Sequence, residues 1–256
     1  MTPTRTTGGP LPPVRLLRFL ALGDSYTIGE GVDPAGRWPV QLAHALRDEG
    51  VMLDDPTIVA TTGWTTDELA AALDAFDAGA NSGAGTPVGA ASAASSLPSI
   101  EPEKIAAEAA PTGSTAGGHS WDFVSLLIGV NNQYRGRGVD EYRDQFAALL
   151  ARATAYAGGR AGRVLVLSIP DWGATPFAAR EGRDADRVAH ELDAFNAAAR
   201  EACERAGAAF VDITPLSRAR GGEAAMLVDD GLHPSAAMYA QWAAQALPVA
   251  RRMLSP

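Results

Sequence analysis

The sequence is short of the residues that cross-link a chain or hold a metal. Its one cysteine, Cys203, excludes an intrachain disulfide and a thiolate metal cluster. That cysteine falls in a helical pattern (ELDAFNAAAREACERAGA), where a small core residue is the plain reading. No apolar run approaches the ~20 residues that a membrane-spanning helix needs, so no integral membrane association is expected. Positive charge is in deficit: 21 Lys and Arg stand against 30 Asp and Glu, a formal net charge of −9. Such a surface repels phosphate backbones and anionic headgroups, and nucleic acid is not an expected partner. No serine sits in a G-x-S-x-G elbow. Gly29-Glu30-Gly31 fails as a dinucleotide loop, because the third glycine of G-x-G-x-x-G falls on Pro34. The acidic pairs Asp54-Asp55 and Asp229-Asp230 have no neighbouring histidine except His233, which argues against a metal phosphoesterase and leaves no metal site expected.

What is present fits one α/β domain, for which 256 residues supply an ample core. Residues 1–14, rich in Thr, Pro and Gly, read as a disordered leader, and 15–256 as the domain. The N-terminus has a superficial likeness to a signal peptide. Its apolar run is short, is broken by Arg18 and leads straight into the first functional motif, so a cytoplasmic protein is expected. Apolar runs predict strands over Leu16–Leu22, Thr57–Ala60, Phe123–Ile128, Arg163–Ile169 and Ala209–Ile213. Between and after them, helical spacing falls at Pro39–Arg47, Asp67–Phe76, Glu141–Ala155, Arg187–Ala206 and Ser235–Leu247. The alternation implies a parallel sheet covered on both faces, with ligands beyond the carboxyl ends of its strands. One stretch interrupts it: Ala78–Gly118, dominated by Ala, Gly, Ser, Thr and Pro, reads as an insertion, disordered rather than a lid, with a short helical pattern at Pro102–Ala110.

The chemistry is sought at those strand ends. The first strand runs into Gly23-Asp24-Ser25, where a nucleophilic hydroxyl belongs on this architecture. Alone, the match is better read as a serine capping the next helix. Of four histidines, His44 and His190 lie in helical patterns and His119 ends the low-complexity stretch. His233 stands in Asp230-Gly231-Leu232-His233-Pro234, where the proline favours an extended loop before the last helix. Asp230 reaches back to the imidazole, so one short motif supplies a base and the group that orients it. Acyl transfer also needs hydrogen-bond donors for the developing oxyanion. Gly63 after the second strand, Asn131 after the third and the Ser25 N–H are the candidates.

These blocks, Gly23-Asp24-Ser25, Gly63, Gly129-x-Asn131 and Asp230-x-x-His233, resemble in type and order those of the SGNH (GDSL) hydrolases, and span Leu20 to His233. The resemblance implies a flavodoxin-like three-layer α/β/α fold around a five-stranded parallel sheet. It implies carboxylic ester hydrolysis through an acyl-enzyme, without metal or organic cofactor, acting on a small-molecule ester. By position, Ser25 becomes the nucleophile, His233 the base, Asp230 its partner, and Ser25, Gly63 and Asn131 the oxyanion hole. The family's third block usually reads Gly-x-Asn-Asp; Asn132 replaces the Asp here, which bears on how that block is positioned. Asp24, Asn132 and Tyr134 are candidate substrate contacts, and Arg135 and Arg137 candidate contacts for a polar or anionic leaving group. Tyr26, Trp38, Trp64, Trp172 and Phe177 also lie near the strand-end loops, as pocket lining or as core. A small acyl ester is the preferred substrate. The rival reading is a non-catalytic ligand-binding module on the same fold, and the oligomeric state is left open.

Overall fold

The computed structural model describes residues 15–81 and 120–255. Five strands form one parallel sheet: β1 (Phe19–Gly23), β2 (Thr57–Ala60), β3 (Phe123–Leu127), β4 (Val164–Leu167) and β5 (Ala209–Val211), in the order β2-β1-β3-β4-β5. Every residue of β1, β3 and β4 is buried, as expected where helices cover both faces. The long helices are α2 (Trp38–Asp48), α3 (Thr66–Asn81), α5 (Val139–Tyr156), α7 (Ala185–Ala206) and α9 (Ala236–Leu254). Helices α2 and α9 pack together in one layer, and α3, α5 and α7 pack in sequence in the other. This is the three-layer arrangement that the alternating sequence implies.

Among the described residues, four further helices have no counterpart in the sequence pattern: α1 (Ser25–Ile28), α4 (Val130–Tyr134), α6 (Pro176–Arg180) and α8 (Thr214–Arg220). Each is too short to show a helical period. Each follows the carboxyl end of a strand, directly or by one short loop, so together they build the upper rim of the sheet.

The strand order reverses direction between β1 and β3, making their carboxyl ends the topological switch point. There Gly23 pairs with Ala60 on one side and Leu127 on the other, so Ser25, Thr62 and Gly129 start from the same height above the sheet. The three loops expected to carry chemistry are aligned by strand register.

Several boundaries differ from expectation for identifiable reasons. Strand β1 begins at Phe19 because Leu17 makes an isolated bridge to Leu53 and Leu16 faces solvent. Helix α9 runs through Pro248 to Leu254, although a proline inside a helix costs ~3 kcal/mol. The fully buried Ala246 and Ala250 and the buried Leu254 continue its core stripe past that point. Helix α3 extends to Asn81, into the start of the expected insertion. The leader, the remainder of that insertion with its Pro102–Ala110 pattern, and His119 lie outside the described residues. His44 and His190 lie in α2 and α7. Cys203 is fully buried on α7, its thiol pushed up to about 12 by desolvation.

Candidate active site

Ser25 is the first residue of α1. Asp24 caps that helix, one carboxylate oxygen accepting from Tyr26 N at 3.0 Å, the usual reason for an Asp at this position. The helix is one turn long and ends at Gly29 in the left-handed conformation, so the serine sits on a tight strand-to-helix turn. Asp24 has no exposed surface. Burial raises its carboxyl from 3.8 to about 7, against the opposing pull of the Tyr26, Asp24 and Gly129 N–H groups.

The His233 loop is a small folded unit. Leu227 and Pro234 bridge antiparallel, with Val228 N donating to His233 O and Ser235 N to Met226 O, both at 2.9 Å. At its tip, one oxygen of Asp230 accepts the backbone N–H groups of Leu232 (2.7 Å) and His233 (2.9 Å). The other lies 2.6 Å from His233 Nδ1. Partial burial works to raise the Asp230 carboxyl, but the His233 ring and the two backbone donors outweigh it and hold the carboxyl below its ordinary range. Gly231 makes the turn possible: its φ is +70°, and a Cβ there would lie 2.9 Å from Arg180 Nη1. Arg180 donates to Asp230 O, and Phe177 N donates to Gly231 O at 3.0 Å. Helix α6, invisible in the sequence, thus clamps the loop from outside.

The serine and histidine loops meet through Tyr26, whose ring centroid lies 5.8 Å from that of His233. Neither Ser25 Oγ nor His233 Nε2 makes a hydrogen bond among the described residues. Such contacts are often long before substrate is bound.

On the other side of Ser25, Asn131 Nδ2 donates to Trp64 O at 2.9 Å, leaving its second N–H for a ligand. This ties α4 to the Gly63 turn. Arg135 reinforces the tie, donating to Gly63 O at 2.7 Å and pairing with Glu68 at 3.1 Å. The cap of α4, Gly129, has φ +128°, and a Cβ there would meet the Tyr142 ring at 2.4 Å; only glycine fits. Asn132 has no exposed surface. Its Oδ1 accepts from Thr66 N at 3.1 Å, its Nδ2 donates to Thr66 Oγ1 at 2.7 Å, and that hydroxyl donates on to Gln145. An Asp at this place lacks the N–H that starts this relay. The Asn therefore works with Gln145 to close the start of α3 without a buried charge.

Several expectations about substrate contacts need correcting. Asp24 and Asn132 face the interior, so neither offers a surface to a substrate. Arg137 is engaged by Asp67 at 2.6 Å and Glu141 at 3.4 Å, and Arg135 by the bonds above. Tyr134 is exposed and packs edge-on against the buried Trp172, with ring centroids 5.3 Å apart. Trp38 is fully buried core. Among the described residues no three His, Cys, Asp or Glu side chains group as metal ligands would, and no helix is long and apolar enough to cross a membrane.

The profile of the GDSL-like lipase/acylhydrolase family matches residues 21–241. Among solved structures, TesA superposes with a TM-score of 0.61 at 17% identity, covering 92% of this chain and 99% of that one. A lipase/acylhydrolase from Enterococcus faecalis gives 0.58 at 16%, with 94% and 98% covered. A mutant of an acetyl-xylooligosaccharide esterase from Geobacillus gives 0.55 at 16%, with 94% of each chain covered. At such identities these likenesses speak for the fold alone. No curated protein sequence matches significantly. Since the family match takes in most of the chain, from β1 into α9, the chain belongs to the GDSL-like lipase/acylhydrolase family.

Proposed function

We propose that the protein is a serine esterase that hydrolyses small acyl esters through an acyl-enzyme, with Ser25 as nucleophile, His233 as base and Asp230 as its orienting partner. The observation that carries this reading is the Asp230–His233 pair. Its 2.6 Å contact supports the tautomer with the proton on Nδ1, toward the carboxylate, in which Nε2 is the atom that accepts the Ser25 proton. Attack by Ser25 Oγ on the ester carbonyl then gives a tetrahedral oxyanion facing the Ser25 and Gly63 N–H groups and Asn131 Nδ2. Collapse expels the alcohol, which takes its proton from His233. Water, deprotonated by the same histidine, releases the acid.

The test is intact-mass labelling with a fluorophosphonate alongside turnover of p-nitrophenyl acetate. One adduct on the wild type, none on Ser25→Ala, and turnover that depends on Ser25 are expected. A folded wild type that neither labels nor turns over would favour the binding module.

Arg135 takes a supporting part in this reading, holding the Gly63 turn where its N–H can face the oxyanion. Arg135→Ala is expected to lower kcat about tenfold with little change in KM, the signature of an interaction felt in the transition state. A rise in KM alone would return Arg135 to the role of substrate contact.

A further inference from the structure

With Arg135 and Arg137 committed to acids, one cation near the site that has no carboxylate partner among the described residues is Arg183, in the turn between α6 and α7. Its guanidinium lies over the Tyr134 ring at 5.0 Å and the Trp172 ring at 5.7 Å, and the side chain is exposed. Most arginines among the described residues are ion-paired with a carboxylate, as Arg152 is with Asp74 and Asp77. Among these residues neither Arg183 nor its neighbour Arg180 has such a partner. The adjacent acids leave it alone: Asp184 caps α7 through Arg187 N at 3.0 Å, and Glu181 makes no ion pair among the described residues.

Its position is set by α4, Trp172 and α6. Tyr134 lies one helical turn beyond Asn131, on the same side of α4. Trp172 Nε1 donates to Gln133 of that helix at 2.8 Å. Arg183 N donates to Ala178 O of α6 at 2.9 Å, and α6 clamps the His233 loop. Arg183 is thus joined through Tyr134 and Trp172 to α4, which carries Asn131, and through α6 to the loop that carries His233. Stacking on aromatic rings holds a guanidinium in place without using its N–H donors. In a chain of net charge −9, an ordered arginine that no acid has neutralised is a local reversal of sign.

Building on the esterase reading above, we propose that Arg183 sets specificity by receiving an anionic group, a carboxylate or a phosphate, carried by the ester. The substrates are then acidic esters rather than neutral ones.

The experiment compares kcat/KM for matched esters in the wild type, Arg183→Ala and Arg252→Ala. Arg252, exposed near the far end of α9, controls for the change in net charge. For the leaving group, the set is methyl para-acetoxybenzoate, para-acetoxybenzoate and para-acetoxyphenyl phosphate. For the acyl arm, p-nitrophenyl hexanoate is set against mono-p-nitrophenyl adipate. In at least one set, the anionic-to-neutral ratio of kcat/KM is expected to fall about tenfold in Arg183→Ala and to hold in Arg252→Ala. Para-acetoxybenzoate and para-acetoxyphenyl phosphate, compared with each other, tell carboxylate from phosphate. Ser25-dependent turnover with the same ratio in all three proteins would overturn the proposal while leaving the esterase intact. Absence of Ser25-dependent turnover of every ester would remove both.

Discussion

Asp230→Asn is expected to fold normally and to lose about four orders of magnitude in kcat, as orienting carboxylates do in triads of this kind when replaced by the amide. The geometry says why. One Asp230 oxygen is occupied by the N–H groups of Leu232 and His233, and an asparagine retains those bonds through Oδ1. The amide nitrogen is then left facing His233 Nδ1, where the carboxylate oxygen stood at 2.6 Å. It has only protons to offer, so the imidazole must carry its own proton on Nε2 and cannot take one from Ser25. The loop keeps its shape while the ring takes the wrong tautomer. Turnover of p-nitrophenyl acetate and the thermal midpoint of the same preparation check this. Activity within tenfold of wild type at an unchanged midpoint would remove Asp230 from the mechanism.

Asp24→Asn should change the pH dependence of stability by roughly 3 kcal/mol. In the unfolded chain this carboxyl ionises near 3.8, whereas in the fold, desolvated, it holds its proton until about pH 7. Between those values folding takes up a proton, so the contribution is complete below 3.8 and is lost as pH rises toward 7. Asparagine stays neutral and keeps the bond to Tyr26 N through Oδ1, while Asp24 Oδ2, which has no hydrogen-bond partner, becomes the amide nitrogen. The variant should therefore gain on the wild type between about pH 5 and pH 7, at ~1.4 kcal/mol per pH decade. Urea unfolding of both proteins at the two pH values measures it. A difference independent of pH would mean that Asp24 is ionised within the fold. Asp230 answers acid in the opposite sense: its lowered carboxyl supports the fold above the ordinary carboxylate range and gives up that support as pH falls through its folded value.

The sheet was legible because its strands are doubly buried and so appear as unbroken apolar runs, FLALG and FVSLL among them. Ser25, Asp230 and His233 stand out as candidates because they lie in short motifs beside strand ends, and Tyr26, next to Ser25, packs near the His233 ring. What the sequence hid was the scaffolding between loops. Arg180 on Asp230 O, Arg135 on Gly63 O and Asn132 on Thr66 join residues 50 to 72 positions apart. No local pattern encodes such a partnership, because an arginine reaching a carbonyl and one facing solvent look the same in a single chain. The expectation of substrate contacts at Asp24 and Asn132 fails for the same reason: proximity in sequence to the nucleophile and the oxyanion block says nothing about which way a side chain turns. Arg183 has no signature in the sequence because its partners, Tyr134 and Trp172, come from two other segments of the chain.

The course of α3 separates two kinds of freedom in this molecule. The helix starts at the Gly63 turn and runs back down the sheet for roughly 24 Å, so Asn81 lies at the amino end of the strands. Ser120, where the described chain resumes, is there too: Trp121 N donates to Tyr156 O at the foot of α5. Whatever length the chain gains or loses between those two points enters and leaves at the base, a sheet's height away from Ser25. A shortened chain joining Asn81 to Ser120 is therefore a natural starting point for engineering the protein, because both ends of the new connection are anchored away from Ser25.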